Sequence, residues 1–241
     1  MKALKVELTR FMMAYKFALD EMNTKINILK EEFNYIHDYN PIEHVKSRVK
    51  SPESILKKVV RKNLDLNMQS IRENIKDIAG VRITCSFESD IYKIQDMLQN
   101  QKDINVLECK DYIKSPKPNG YRSLHLILEI PVFLSSGEEL IPVEIQIRTI
   151  AMDFWASLEH KIYYKYNKEV PEHLLTELKD AATAAAGLDA KMERINKEIN
   201  VFKENDSMNE EALLINVNEE HMALPLRLLE SIGHAKTETN H

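Results

Sequence analysis

Residues 121–149 read YRSLHLILEIPVFLSSGEELIPVEIQIRT, and this stretch decides the fold. Both halves are rich in Leu, Ile and Val, and Ser135-Ser136-Gly137 separates them. A short turn of that composition between two such runs predicts a β-hairpin, with strands over 121–132 and 138–149. Side chains alternate along a strand, so Val143, Ile145 and Ile147 share one face while Glu144, Gln146 and Arg148 share the other. Three polar residues in a row are costly on a sheet face covered by other parts of the chain. Two readings are open: the face is bare to solvent, or it floors a functional cleft.

Working outward, the stretch is entered through KSPKPNGYRSLH, residues 114–125. Pro116 and Pro118 have a fixed φ and no amide hydrogen, so this is loop. Asn119-Gly120 can reach positive φ, and the chain holds only 5 glycines, which makes one placed here a demand of geometry. The loop delivers Tyr121 to the mouth of the sheet beside Lys114, Lys117 and Arg122. An aromatic face among cations suits a nucleotide, and a basic surface turn with a half-buried tyrosine is the alternative.

Further upstream, DIAGVR at residues 77–82 opens a strand that runs to about Phe87. Val81, Ile83, Cys85 and Phe87 alternate inward, leaving Arg82, Thr84 and Ser86 on the polar face. Asp77 is then either a turn cap or a metal ligand. A helix over 89–101, capped by Ser89, and a strand over 104–112 connect it to the loop. Before it lies HVKSRVKSP, residues 44–52, feeding a helix with Ser51 as N-cap and Pro52 at its first position. Ser54, Lys58 and Arg61 share one face of that helix, with Ile55, Leu56 and Val59 turned to the core. Arg48 and Lys50 precede it, where free backbone N–H groups favour anions. The cluster is either a solvated basic face or a clamp for a polyphosphate.

Long helices flank this centre. Tyr15, Leu19, Met22, Ile26, Leu29, Phe33 and Ile36 form a heptad stripe in a helix over 1–38, ended by Asn40-Pro41 and expected to pack on its own domain. A helix over 152–165 carries Trp155 and Glu159-His160. After Pro171, the positions Leu174, Leu178, Ala181, Ala185, Leu188, Met192, Ile195 and Ile199 keep a heptad spacing. That seam suits a coiled-coil-like contact with the N-terminal helix or another subunit. The expected organisation is an N-terminal helix (1–40), a core (41–170), an amphipathic helix (171–205) and a weakly structured acidic tail (206–241).

Composition narrows the class. The 241 residues are 44% hydrophobic and 29% charged, as in a globular protein. No apolar run approaches the roughly 20 residues of a membrane helix, and Lys2, Lys5, Glu7 and Arg10 interrupt any signal-peptide core, so a cytoplasmic location is expected. Cys85 and Cys109 lack metal-ligand spacing and are expected to be buried free thiols. The net charge is −5, yet residues 44–62 hold seven Lys/Arg against one acid, and 171–241 hold seven against fourteen. A basic cluster in an acidic chain points to a small polyanion at one site; RNA on the basic surface stays open as a regulatory addition.

The four motifs, RVKS with its basic helix, DIAGVR, KPNGYRSLH and EIQIRT, stand in the order seen in the synthetase domain of the RelA/SpoT family, the (p)ppGpp synthetases, which the chain closely resembles over about residues 10–200. It resembles the small alarmone synthetases, most of all the RelP (YwaC) type. The resemblance implies an α/β (α+β) fold, a nucleotidyltransferase-like mixed sheet of about five strands flanked by helices. It also implies transfer of the β,γ-pyrophosphate of ATP to the ribose 3′-hydroxyl of GDP or GTP, with Mg²⁺, in a homotetramer. By motif match, Arg48 and Arg82 would sandwich adenine, and Lys50, Ser54, Lys58 and Arg61 would meet the ATP phosphates. Asp77 would bind magnesium, and Glu144 would share the metal or activate the 3′-hydroxyl. Tyr121 would stack on guanine, with Lys117, Asn119, His125, Gln146 and His160 on the acceptor side. Glu108-Cys109-Lys110-Asp111 mixes two family signatures, which leaves the acceptor open among GDP, GTP and GMP. A nucleotide- or RNA-sensing module with the same fold and little catalysis is the rival reading.

Overall fold

The expected hairpin forms from β4 (Leu124–Leu134) and β5 (Gly137–Thr149), which pair antiparallel from Leu134 opposite Gly137 to Leu124 opposite Ile147. This is a computed structural model; it describes residues 2–36, 39–165, 170–207, 214–217 and 220–223. Gly137 closes the hairpin at φ +124°, a backbone region that favours glycine. β4 begins three residues later than the sequence pattern predicts, because the backbone of Tyr121 belongs to the loop: Lys117 N donates to Tyr121 O and Gly120 N to Lys117 O.

Around the hairpin stand β1 (Ile42–Val49), β2 (Ala79–Cys85) and β3 (Asn105–Asp111), giving a five-stranded sheet of order β1-β2-β5-β4-β3. Only β2 and β5 run parallel, so the sheet is mixed as expected. Its apolar face is built from Val81, Ile83, Leu124, Leu126, Leu128, Val143, Ile145 and Ile147, all buried. α1 (Lys2–Ile36) lies across that face, and α4 (Glu88–Gln99) packs on the same core. Tyr15, Leu19, Met22 and Ile26 of the stripe are buried there, while Ile36 is exposed where the helix outruns the sheet.

The remaining helices are α2 (Pro52–Arg61), α3 (Met68–Asn74), α5 (Ile150–Lys165) and α6 (Glu172–Ser207). α2 starts as expected: Ser51 Oγ accepts from Ser54 N at 3.3 Å, with Pro52 in the first turn. α6 packs on α5 and α4.

Several expectations are corrected. Residues 42–49 form an edge strand, not a simple approach to a helix. Leu56 is exposed, because only one flank of α2 meets the core and Ile55 and Val59 occupy it. Ser89 does not cap α4; Phe87 holds that position and its N–H is received by Asp90 Oδ2 at 3.2 Å. Cys109 is exposed on the free edge of β3, whereas Cys85 is buried. The α6 face turned inward carries Leu178, Ala182 and Asp189, so Leu174, Leu188, Met192, Ile195 and Ile199 of the expected seam are exposed. Most of 206–241 lies outside the described residues; within it β6 (Leu214–Val217) and β7 (Glu220–Ala223) pair antiparallel.

Candidate active site

The polar stripe of β5 is not bare. Its register puts Lys46, Arg82, Gln146, His125 and Lys110 directly opposite one another on β1, β2, β5, β4 and β3, one row across the whole sheet. The adjacent row runs from Arg48 through Gly80 to Glu144. Gly80 has no side chain to fill the gap between the arginine and the glutamate, and a cavity of about 190 Å³ opens here. Its lining includes Lys46, Arg48, Gly80, Arg82, Glu144 and Gln146.

At one end of the cleft, Asp77 stands two residues before β2. Its Oδ2 accepts from Lys50 Nζ at 2.6 Å and Lys58 Nζ at 2.5 Å. Burial works against ionisation of Asp77, but the two ammonium groups outweigh it and hold the carboxyl below the usual range. Asp77 Oδ1 is buried with no hydrogen-bond partner. Glu144 behaves oppositely: burial, and then the like charge of Asp77, raise its pKa. Two carboxylates far apart in sequence are therefore close enough to feel each other across β2 and β5.

At the other end sits the loop. Tyr112 N donates to Ser123 O, and Asp111 Oδ1 receives the amides of Ile113 and Lys114, which fixes the loop entrance. Gly120, at φ +88°, presses on α6 so closely that a Cβ there would lie 2.5 Å from Ala182 Cβ. Asn119 Oδ1 accepts from Tyr121 N, and its Nδ2 donates to Glu159 Oε1 of α5. Tyr121 is half-buried, not displayed to solvent. Its Oη receives Arg148 Nη2 at 2.5 Å and lies 2.7 Å from His125 Nε2. Lys117 Nζ stands over the rings of Tyr112 and Tyr121, at 4.6 and 4.8 Å.

These contacts form a chain of donors. Arg148 also gives an N–H to Gln146 Oε1 at 2.8 Å, and Gln146 Nε2 donates to Glu144 Oε2 at 3.0 Å. His125 Nε2 shares its hydrogen bond with Tyr121 Oη, and Nδ1 lies on the far side of the ring. That nitrogen faces Glu144 Oε1 at 3.6 Å. Burial and the cations Arg148, Lys117 and Lys110 push the His125 pKa down to about 3, so this is no ion pair near neutral pH.

Of the expected site residues, Arg48, Arg82, Glu144 and Gln146 line the cavity, Lys50, Lys58 and Asp77 meet at one end, and Tyr121, Lys117, Asn119 and His125 meet at the other. Ser54 is exposed and spends its hydroxyl on Ser51 Oγ at 2.9 Å. Arg61 and His160 are exposed and do not line this cavity. The motif match gave no role to Arg148, which lies within EIQIRT, and did not reach Asp153. Arg148 shares the alternation of β5, but nothing in the spacing of Asp153 on α5 signals its two arginine partners.

The family described as "Region found in RelA / SpoT proteins" matches residues 47–169. GTP pyrophosphokinase YwaC of Bacillus subtilis (strain 168) is 57% identical over 188 residues, 78% of this chain and 90% of the relative. The crystal structure of small alarmone synthetase 2 from Bacillus subtilis aligns with a TM-score of 0.73 at 55% identity, covering 80% of this chain and 99% of the other. That of small alarmone synthetase 1 from the same organism, bound to its product pppGpp, aligns with a TM-score of 0.74 at 41% identity, covering 80% and 98%.

Proposed function

The chain belongs to the RelA/SpoT family, and from that premise we propose that it is a GTP pyrophosphokinase, a small alarmone synthetase. In the reaction, the ribose 3′-oxygen of GDP or GTP attacks the β-phosphorus of ATP. The bond from that phosphorus to the oxygen bridging it to the α-phosphate breaks, AMP leaves, and ppGpp or pppGpp forms. The observation that carries this reading is the pair of adjacent rows of strand positions: they set Lys46, Arg48 and Arg82 toward one end of one sheet face and His125 toward the other, with Glu144 and Gln146 between them.

Each end suits one substrate. Arg48 and Arg82 are planar cations on neighbouring strands, suited to sandwich adenine, and Lys50 and Lys58 suit the phosphates. Tyr121 with Lys117 suits guanine and its phosphates, with Asn119, His125 and Gln146 beside them. Glu144 sits between the ends, and its raised pKa suits a group that takes the 3′-hydroxyl proton. Phosphoryl chemistry of this kind asks mainly for positioning and for cations where charge shifts.

Magnesium fits this site as proposed cofactor. Asp77 Oδ1 is a buried oxygen lacking a partner, and a second carboxylate, Glu144, stands on β5 opposite Gly80, three residues after Asp77. Magnesium is commonly held by one or two carboxylates plus substrate phosphates, and among the described residues no larger acidic or histidine cluster stands as a rival site. When bound, the ion would neutralise charge on the transferred phosphates.

The test is incubation with Mg²⁺, γ-labelled ATP and GDP, GTP or GMP, with Glu144→Gln alongside. Label in a guanosine product, release of AMP and an inactive variant are expected; nucleotide binding without product would favour the sensing module. Self-association belongs to the same proposal: Leu188, Met192, Ile195 and Ile199 form an exposed apolar row on α6, suited to a homotetramer. A monomer in sedimentation at micromolar concentration would sink that part. A cytoplasmic location is part of the same proposal; separately, no described helix is long and apolar enough to cross a membrane.

A further inference from the structure

Asp153 lies in the first turn of α5, outside every motif discussed above. Its Oδ1 is 3.1 Å from Arg82 Nη1 and 3.3 Å from Arg148 Nη1. Arg82 belongs to the end of the cleft that suits ATP. Arg148 holds Tyr121 Oη with its other terminal nitrogen, at the end that suits guanine. One carboxylate oxygen thus stands between the two ends.

The arrangement is strict in two ways. Arg148 is buried and Asp153 mostly covered, so water screens their pairing little, while Arg82 keeps about a third of its side chain exposed. Arg82 Nε is buried without a partner, and among the described residues Asp153 is the one acid paired with Arg82. Without Asp153, two guanidinium groups on neighbouring positions of the same sheet face would repel each other. Arg148 would also lose one of the contacts that aim it at Tyr121.

We infer that Asp153 is a positioning residue that couples the two substrate sites: by holding Arg82 and Arg148 on one oxygen, it ties the arginine on the adenine side to the tyrosine on the guanine side, so that filling either site prepares the other. This rests on the function proposed above. Coupling of this kind is reciprocal, each ligand tightening the other by the same factor.

The experiment is calorimetric titration of the full chain with a non-transferable ATP analogue and with GDP, each alone and in the presence of the other. It compares the wild type with Asp153→Asn, which keeps the shape and removes the charge, and with Asp153→Glu, which keeps the charge. The wild type is expected to show mutual tightening of about 5-fold or more. Asp153→Asn should bring that factor to about 1, and Asp153→Glu should restore part of it. Three results would overturn the assignment: a wild type whose nucleotides bind independently, an Asn variant with the full coupling factor, or a Glu variant that binds both nucleotides without coupling. A variant altered only toward GDP, and accepting inosine diphosphate equally well, would also overturn it by making Asp153 a direct reader of the base. Binding needs no turnover, so the coupling is decided separately from whether the wild type transfers pyrophosphate.

Discussion

Asp77→Asn removes one negative charge and almost no volume from the point where two lysines meet. Lys50 and Lys58 approach the same Oδ2 at 2.6 and 2.5 Å, and all three side chains are about four-fifths buried. A charge-assisted hydrogen bond contributes about 1.5–3 kcal/mol. Two of them, less the desolvation of the carboxylate and the freedom of the lysines to swing toward water, leave a net loss of about 2–4 kcal/mol without ligands. The sign with pH follows from the lowered pKa of Asp77. Its contribution is present above the ordinary carboxylate range, about pH 4, and is lost as pH falls through the lower folded value. Urea unfolding of both proteins at pH 7, 4 and 3 should show the full gap at pH 7 and a narrowing gap below about pH 4. Transfer activity should drop by about 10²–10³-fold, the scale for losing one electrostatic group. Equal stability at pH 7, or activity within a few-fold of wild type, would refute the reasoning that this carboxylate organises the cationic end.

Two further outcomes are expected. His125 is held neutral with its pKa pushed to about 3, so the unfolded chain takes up its proton first and stability falls as pH drops below about 6.5. The loss reaches about 2 kcal/mol at pH 5, and His125→Gln should flatten that part of the stability curve. Gly120→Ala places a Cβ 2.5 Å from Ala182 Cβ on a backbone at φ +88°. It should raise the KM for GDP by about tenfold or more while leaving the KM for ATP within a few-fold, and steady-state kinetics with each substrate varied in turn would check it.

Much of the site was legible because its chemistry rides on alternation. Glu144, Gln146 and Arg148 follow one another on a strand whose other face is aliphatic from Ile141 to Ile147, a pattern readable without coordinates. β1 was not, for a physical reason: an edge strand buries little, and only Ile42 of its residues is fully buried. Its alternation of cations with Val45 and Val49 therefore lacks a hydrophobic signal. The periodicity of α6 predicts an apolar row but not which face meets the domain. The inner face is chosen by small size at Ala182, under Gly120, and by a hydrogen bond from Thr149 Oγ1 to Asp189 at 2.7 Å. Periodicity detects neither. Asp153 was hidden because its meaning comes from two arginines on other elements.

The row of facing positions from Lys46 through Arg82, Gln146 and His125 to Lys110 has a consequence for how the molecule comes into being. It draws one side chain from every strand of the sheet, and its members come from both ends of the core sequence. Closing such distant segments is slow relative to local helix formation. No half of the chain can carry a weakened version of the cleft, and recovery of activity on refolding reports the arrival of the last strand, long after the helices have formed.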